Sequence, residues 1–102
     1  MEEYFEITTP LDIHVRTTRE YWGYIVNIKH RAMAGKEQIV KDTLFQPDEI
    51  RRSKVDKSVF LYYKRKDNKI YCAVARHEGK EGFLVTAYIT DKIKEGEVVW
   101  KK

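Results

Sequence analysis

Two histidines set among basic residues are the part of this sequence best suited to chemistry. His30 lies between Lys29 and Arg31, and His77 directly follows Arg76. Basic side chains can hold a phosphodiester, and imidazole is the side chain that ordinarily exchanges protons near neutral pH. This arrangement favours a protein directed at RNA, although no signature motif specifies a reaction.

Each of these candidates also has a purely structural interpretation. A histidine at the end of a helix often interacts only with the helix dipole, and a charged residue at the end of a strand is more often solvated than catalytic. The basic runs at 51–52 and 64–66 can equally protect sheet edges from aggregation. In a regular strand only one of Arg76 and His77 reaches a given face, and the sequence leaves open which one does.

The composition indicates a small domain with a moderate positive charge. The chain of 102 residues has 20 Lys and Arg against 16 Asp and Glu, a net charge of +4, which permits nucleic acid as a partner without demanding it. The one cysteine, Cys72, lies in an apolar run and is predicted to be buried and free, which fits a cytoplasmic location. The acidic N-terminus and the lack of a long apolar run predict no signal peptide and no membrane contact.

The N-terminal half is predicted to be helical after a short extended segment. Residues 1–16 alternate apolar and polar side chains around a proline, so we expect a strand or an extended arm. Thr17, followed by Glu20 at the capping-box spacing, predicts a helix start. Two helices are expected within 18–46, the second ending before Pro47.

From Ile50 onward the periodicity changes to two, which predicts an antiparallel sheet over residues 50–100. Strands are expected at 58–65, 69–77 and 83–90. The expected fold class is therefore α+β, with two N-terminal helices packed on one face of an antiparallel meander of three to four strands. The other face is expected to be open, and the whole chain to form a single domain.

Strand alternation assigns the side chains of the open face. In the last long strand, Val85 would point toward the helices, and Thr86 and Tyr88 away from them. In the first long strand, Tyr62 and Lys64 would point outward, and an aromatic ring beside a cation can stack and hold single-stranded RNA. With the basic stretch after the second helix included, the predicted RNA-binding residues are Arg52, Ser53, Tyr62 and Lys64.

Four features follow one another in a recognisable order. They are a helix ending at His30, a helix ending in Leu-Phe-Gln-Pro-Asp at 44–48, the basic Arg-Arg-Ser stretch at 51–53, and a closing strand with Val-Thr-Ala-Tyr at 85–88. This order resembles the barnase/EndoU/colicin/RelE-like (BECR) fold, and within it the small phage-associated and toxin-like nuclease domains. The resemblance covers about residues 15–100.

The resemblance implies a metal-independent endoribonuclease that uses no cofactor. By position it implies catalytic roles for His30, Arg76, Thr86 and Tyr88. The histidine would move protons, the arginine would hold the phosphate, and the hydroxyls would orient it. It also implies RNA as a partner and, for toxin-like or phage-related members, a protein antitoxin or inhibitor.

Two other classes of function stay open. The same face can bind RNA or a protein without catalysis, or the protein can dimerise through a strand edge or through the surfaces around Trp22 and Trp100. Metal and P-loop nucleotide chemistry are disfavoured. The histidines and the cysteine lack the paired spacing of a zinc site, and no glycine-rich phosphate loop follows a strand.

Overall fold

A seven-stranded mixed sheet forms most of the protein in the computed structural model, which describes residues 2–93 and 95–102. Two strands precede the helical part, and five follow it. The bounds of the elements are β1 Glu3–Thr8, β2 His14–Thr18, α1 Arg19–Tyr24, a π-helical turn Ile25–Lys29, a 3₁₀ turn Arg31–Met33, α2 Glu37–Phe45, β3 Glu49–Arg52, β4 Val59–Lys66, β5 Lys69–Glu78, β6 Glu81–Thr90 and β7 Glu97–Lys101.

The architecture predicted from the sequence is wrong. The strand order is β1-β2-β6-β5-β4-β3-β7, so the sheet is larger than a meander of three or four strands, and the helices are short. The N-terminal segment forms an antiparallel hairpin, and β2 pairs with β6 in parallel, which makes the sheet mixed. Each added strand satisfies backbone groups that would otherwise be left at a sheet edge. Met1 and Lys94, which fall within the predicted 1–16 and 50–100 segments, lie outside the described residues.

The parallel pairing of β2 with β6 depends on a glycine. Val15 lies opposite Gly82 in this register. A Cβ atom on Gly82 would lie 3.1 Å from the Ile13 side chain and 3.2 Å from the Arg76 carbonyl oxygen. Glycine therefore allows an approach of the two strands that a side chain would hinder.

The main core lies between the helices and the sheet. Trp22 is 5% exposed and both Ile25 and Leu44 are fully buried, and they pack in one cluster with residues from most of the strands. Burial of each such side chain contributes about 1.5–3 kcal/mol. Trp22 is therefore a core residue and does not form a dimer surface, whereas Trp100 is half-buried against the same core. Within residues 2–93 and 95–102, no helix is long and apolar enough to cross a membrane.

Helix α1 begins one residue later than predicted. The Thr18 hydroxyl accepts a hydrogen bond from the Tyr21 backbone N–H at 3.1 Å, so Thr18 is the N-cap, and Thr17 belongs to β2. After six residues the helix widens into the π-helical turn. The His30 N–H closes this turn with a 2.8 Å hydrogen bond to the carbonyl that begins it. Single π-helical turns of this kind are frequent at functional sites.

The sheet face away from the main core is covered at one end. A second cluster is formed there by Leu61, Tyr63, Ile70, Cys72 and Val74. Ile93, from the connection between β6 and β7, packs against it. Because β6 and β7 lie on opposite sides of the three strands between them, this connection crosses the face. Cys72 is 1% exposed, which confirms the prediction of a buried cysteine, whereas the expectation of a fully open face is wrong.

The predicted face assignment of β4 is also wrong. Tyr62 is fully buried in the main core, whereas Leu61 and Tyr63 belong to the second cluster. Both faces of β4 are covered over residues 59–63, where the side chains are apolar or aromatic on both sides. Alternation in such a strand does not distinguish the helix side from the other side.

The turn that leads into β7 packs closely against β3, and this contact can be tested. Gly96 has φ 85°, and a Cβ atom there would lie 2.6 Å from the Arg52 carbonyl oxygen. Gly79 also has a positive φ of 63°, but no atom of the described residues lies within 4 Å of its Cβ position. Both Gly→Ala substitutions strain the backbone, and only Gly96→Ala also forces a clash. We expect Gly96→Ala to lower the free energy of unfolding by at least about 1 kcal/mol more than Gly79→Ala.

Urea denaturation of the wild type and the two alanine variants measures this difference. Equal losses of stability in Gly96→Ala and Gly79→Ala would contradict the described packing of the β7 turn against β3.

Candidate functional site

His30 and Tyr88 lie together at the edge of β6. Their ring centroids are 5.4 Å apart, with the ring planes at 43°. The pairing of β2 with β6 extends only as far as Phe83, so the edge of β6 beyond that residue is left to the helical segment. The end of the π-helical turn then places the histidine beside the strand. Two of the four predicted catalytic residues are thereby brought into contact.

A β-bulge changes the direction of the side chains in β6. Val74 pairs with Thr86, but the next residue of β5, Ala75, pairs with Leu84. Val85 is therefore the extra residue. It packs against the second cluster, so the prediction that it points toward the helices is wrong. A bulge adds one residue to one strand and thereby interrupts strict alternation.

The backbone carbonyl of the bulge residue, Val85, is held by side chains from the helical segment. The Val85 carbonyl oxygen accepts hydrogen bonds from the Tyr21 hydroxyl at 2.8 Å and from the Lys29 ammonium group at 3.3 Å. Tyr21 belongs to α1, and Lys29 directly precedes His30. These two bonds tie the helical segment to β6 on the side of His30.

Thr86 carries a hydroxyl with unused hydrogen-bonding capacity. Its Oγ1 atom is buried and has no hydrogen-bond partner within residues 2–93 and 95–102. A buried hydroxyl left unpaired costs about 1–3 kcal/mol. Thr86 shares a sheet face with Tyr88, two residues further along β6. Because this oxygen is enclosed by the protein, it can bind an oxygen of a ligand at this face only after the side chain turns toward that ligand.

Tyr88 keeps its proton at neutral pH. Burial raises its pKa above the ordinary value, and the neighbouring Cys72 and Tyr63 raise it further. Cys72 lies opposite Tyr88 across the β5–β6 pair, and burial raises the pKa of its thiol to about 12. At neutral pH Tyr88 is therefore a hydrogen-bond donor and does not act as a base.

Arg76 points to the same sheet face as Thr86. Val74, the partner of Thr86, lies two residues before Arg76 in β5, so the arginine and the threonine are diagonal neighbours. One nitrogen of Arg76, Nη1, donates to the Ser58 hydroxyl at 2.7 Å and to the Asp56 carboxylate at 3.2 Å. Ser58 and Arg76 together hold the pKa of the Asp56 carboxyl below its usual value. Arg76 is thus already ordered by an acidic partner.

His77 belongs to a separate network on the helix side of the sheet. Its ring stacks on Phe60 with a centroid distance of 3.9 Å. Its Nε2 atom lies 3.0 Å from the Tyr62 hydroxyl, which lies 3.1 Å from Thr9 Oγ1. Burial lowers the pKa of His77 to about 4. The sequence left open whether Arg76 or His77 reaches the face of the candidate site, and in the structure it is Arg76.

The four predicted RNA-binding residues are not brought to this site. Tyr62 is fully buried, and Lys64 donates a 2.8 Å hydrogen bond to the Gln46 carbonyl at the end of α2. The Ser53 hydroxyl accepts from two backbone N–H groups of the turn that follows β3. Arg52 lies in β3, which β4 and β5 separate from β6. The reversed face assignment of β4 accounts for the positions of Tyr62 and Lys64, whereas Arg52 and Ser53 lie away from β6 because β4 and β5 come between.

A groove of about 540 Å³ extends the site along β6. It is lined by Glu3, Arg16, Thr17, Thr18, Tyr21, Arg76, Phe83, Leu84 and Val85. Arg16 and Phe83 were not predicted as site residues. Arg16 lies opposite Phe83 in the parallel β2–β6 pair, with its guanidinium carbon 4.8 Å from the ring centroid. The local pattern places Arg16 on the polar side of a strand, but no local signal places that strand beside β6.

No protein-family model, curated protein or solved structure matches this chain. The resemblance to the BECR fold therefore stays a prediction.

The burial of His77 predicts a loss of stability at mildly acidic pH. A histidine in an unfolded chain titrates at about pH 6.5, whereas the pKa of folded His77 is about 4. Between these values the unfolded chain binds more protons than the folded chain, so the free energy of unfolding should fall as the pH decreases. His77→Phe keeps a ring for stacking on Phe60 but cannot bind a proton. We expect this variant to show a flatter pH dependence.

Chemical denaturation of the wild type and His77→Phe at several pH values between 7 and 4.5 tests this. If the free energy of unfolding changed with pH by the same amount in both proteins, His77 would not gain a proton on unfolding.

Proposed function

We propose that the protein is a metal-independent endoribonuclease acting through a cluster of His30, Arg76, Thr86 and Tyr88. The observation that carries the proposal is the 5.4 Å contact between the His30 and Tyr88 rings. It lies on the strand that bears the Thr86 hydroxyl, which has no hydrogen-bond partner in the described part of the chain. RNA cleavage without a metal uses a group that exchanges protons, a cation and hydrogen-bond donors to the phosphate. His30 supplies the first, Arg76 the second, and Thr86 and Tyr88 the third. These residues are spread along β5 and β6 between the Tyr88–Cys72 pair and the Phe83–Arg76 pair.

In this proposal His30 takes the proton of a ribose 2′-hydroxyl while the 2′-oxygen attacks phosphorus. The bond from phosphorus to the 5′-oxygen breaks, and water protonates the leaving oxygen. The products are a 2′,3′-cyclic phosphate and a 5′-hydroxyl. Arg76 offsets the charge that develops on the phosphate, and its planar guanidinium can donate two hydrogen bonds. Thr86 and Tyr88 donate to the phosphate oxygens, and the raised pKa of Tyr88 keeps its hydroxyl protonated.

A nucleic-acid-binding module without catalysis is the second candidate. It is favoured by the ion pair of Arg76 with Asp56 at 3.2 Å, which already uses part of the charge of the arginine. The four-residue cluster also contains a single imidazole, whereas two protons must move during cleavage. A site of this composition can hold a phosphate and remain inactive. The protein inhibitor that the toxin-like resemblance implies stays a prediction.

The proposal predicts cleavage of single-stranded RNA in excess chelator, with a 2′,3′-cyclic phosphate identified by mass spectrometry. His30→Ala should lower kcat by roughly 10²–10⁴-fold, the usual effect of losing a general acid or base. His14→Ala is the matched control and should retain activity, because the His14 imidazole lies near Glu6, at 3.9 Å from its carboxylate, outside the cluster. Arg76→Gln should lower kcat and raise KM, since the arginine binds both substrate and transition state.

Equal rates for His30→Ala and His14→Ala would reject the role of His30. Binding of RNA by the wild type, with no product above a heat-inactivated control, would reject the nuclease proposal in favour of the binding module.

A further inference from the structure

Three neighbouring strands place a cation, an aromatic ring and a second cation side by side. Phe83 in β6 lies opposite Arg16 in β2 and opposite Arg76 in β5. Residues directly opposite each other on paired strands share a sheet face. Neighbouring strands are about 4.8 Å apart, so the backbone positions of the two arginines are about 10 Å apart, and Phe83 lies between them.

The Arg16 guanidinium lies over one face of the Phe83 ring, 4.8 Å from its centroid, so a ligand can contact only the part of the ring that Arg16 leaves exposed. Phe83 is 43% exposed, although the next residue, Leu84, is 2% exposed. Its ring forms part of the groove described above, between the start of α1 and Arg76. A large apolar side chain exposed in a concave surface is typical of a binding site. Tyr21 also lines the groove, and its hydroxyl donates a hydrogen bond to the Val85 carbonyl oxygen.

The two arginines are held in place and still have donors to offer. Arg16 Nη1 donates to Glu81 at 2.6 Å, and Arg76 uses the same nitrogen for its bonds to Asp56 and Ser58. A guanidinium group carries five N–H donors. The ion pairs therefore orient each side chain and leave further N–H groups for an anion. The residues that line the groove include two arginines and one acidic residue, Glu3, so the lining carries a net positive charge.

We infer that the Arg16–Phe83–Arg76 row binds one nucleotide of single-stranded RNA, with its base stacked on Phe83 and its flanking phosphates on the two arginines. Aromatic side chains bind unpaired bases through their faces, whereas the bases of a duplex are already stacked on one another. The alternation of cation, ring and cation matches the alternation of phosphate and base along a single strand. The inference rests on the proposed function, because it assigns a substrate contact beside the proposed catalytic cluster.

The test uses a fluorescein-labelled hexauridylate with 2′-O-methyl riboses, which lacks the nucleophile for cleavage. Fluorescence anisotropy should show that Phe83→Ala weakens binding by about tenfold or more, the usual effect of losing one stacked base. Phe83→Trp should bind at least as tightly as the wild type. Phe45→Ala is the matched control, since Phe45 is 58% exposed at the end of α2 and does not line the groove. Arg16→Gln should reduce the slope of log affinity against log salt concentration by about 0.7 for each phosphate that the variant no longer neutralises.

A second probe separates stacking from charge. A hexamer of the same ribose phosphates without bases should bind the wild type and Phe83→Ala equally. Equal affinity of Phe83→Ala and Phe45→Ala for the hexauridylate would overturn the inference. So would a loss of affinity in Phe83→Ala that is the same for the probe without bases as for the hexauridylate. Phe83→Leu keeps an apolar side chain without a ring and should match Phe83→Ala, whereas wild-type affinity in this variant would overturn the inference.

The two proposals fail separately. If the wild type does not cleave unmodified RNA but Phe83→Ala loses affinity for the uncleavable probe, the nucleotide site stands and the nuclease proposal falls. If cleavage is observed and Phe83→Ala binds the probe as Phe45→Ala does, only the nucleotide site is rejected.

Discussion

The candidate site depends on the parallel pairing of β2 with β6. This pairing ends at Phe83, and the chain leaves β2 for α1 at Thr18, so the helical segment runs along the edge of β6 that β2 leaves free. The π-helical turn then ends with His30 beside Tyr88. The close approach of the two strands requires glycine at position 82. The positions of the histidine and of the groove thus follow from one short strand contact.

The bulge in β6 allows one strand to serve both the core and the site. Leu84 and Ala87 both lie in the main core although they are three residues apart, while Thr86 and Tyr88 face the opposite side. The Val85 carbonyl, which a regular neighbouring strand would have bonded, is instead bonded by side chains of the helical segment. Bonding by side chains blocks this part of the edge against pairing with another strand.

Local signals in the sequence located most elements, but they did not reveal which elements pair. The three central strands lie where two-residue periodicity and turn residues place them, and a threonine caps α1, although it is Thr18 and not the predicted Thr17. The parallel contact, the bulge and the π-helical turn depend on interactions between distant segments and have no local signature. His30 and Tyr88 could be singled out by residue type and order, whereas Arg16 and Phe83 become a pair only when β2 meets β6. Tyr62 was misassigned because both faces of its strand are covered.

The position of β6 along the chain has a consequence for biosynthesis. This strand supplies Phe83, Thr86 and Tyr88, and it is the sixth of seven strands. A nascent chain therefore exposes Arg16 and His30 long before the residues that surround them in the folded protein have been made. Until β6 has left the ribosome, β2 lacks its inner neighbour and the groove lacks its floor. Incomplete translation products accordingly carry the basic residues and the histidine without the site that they form.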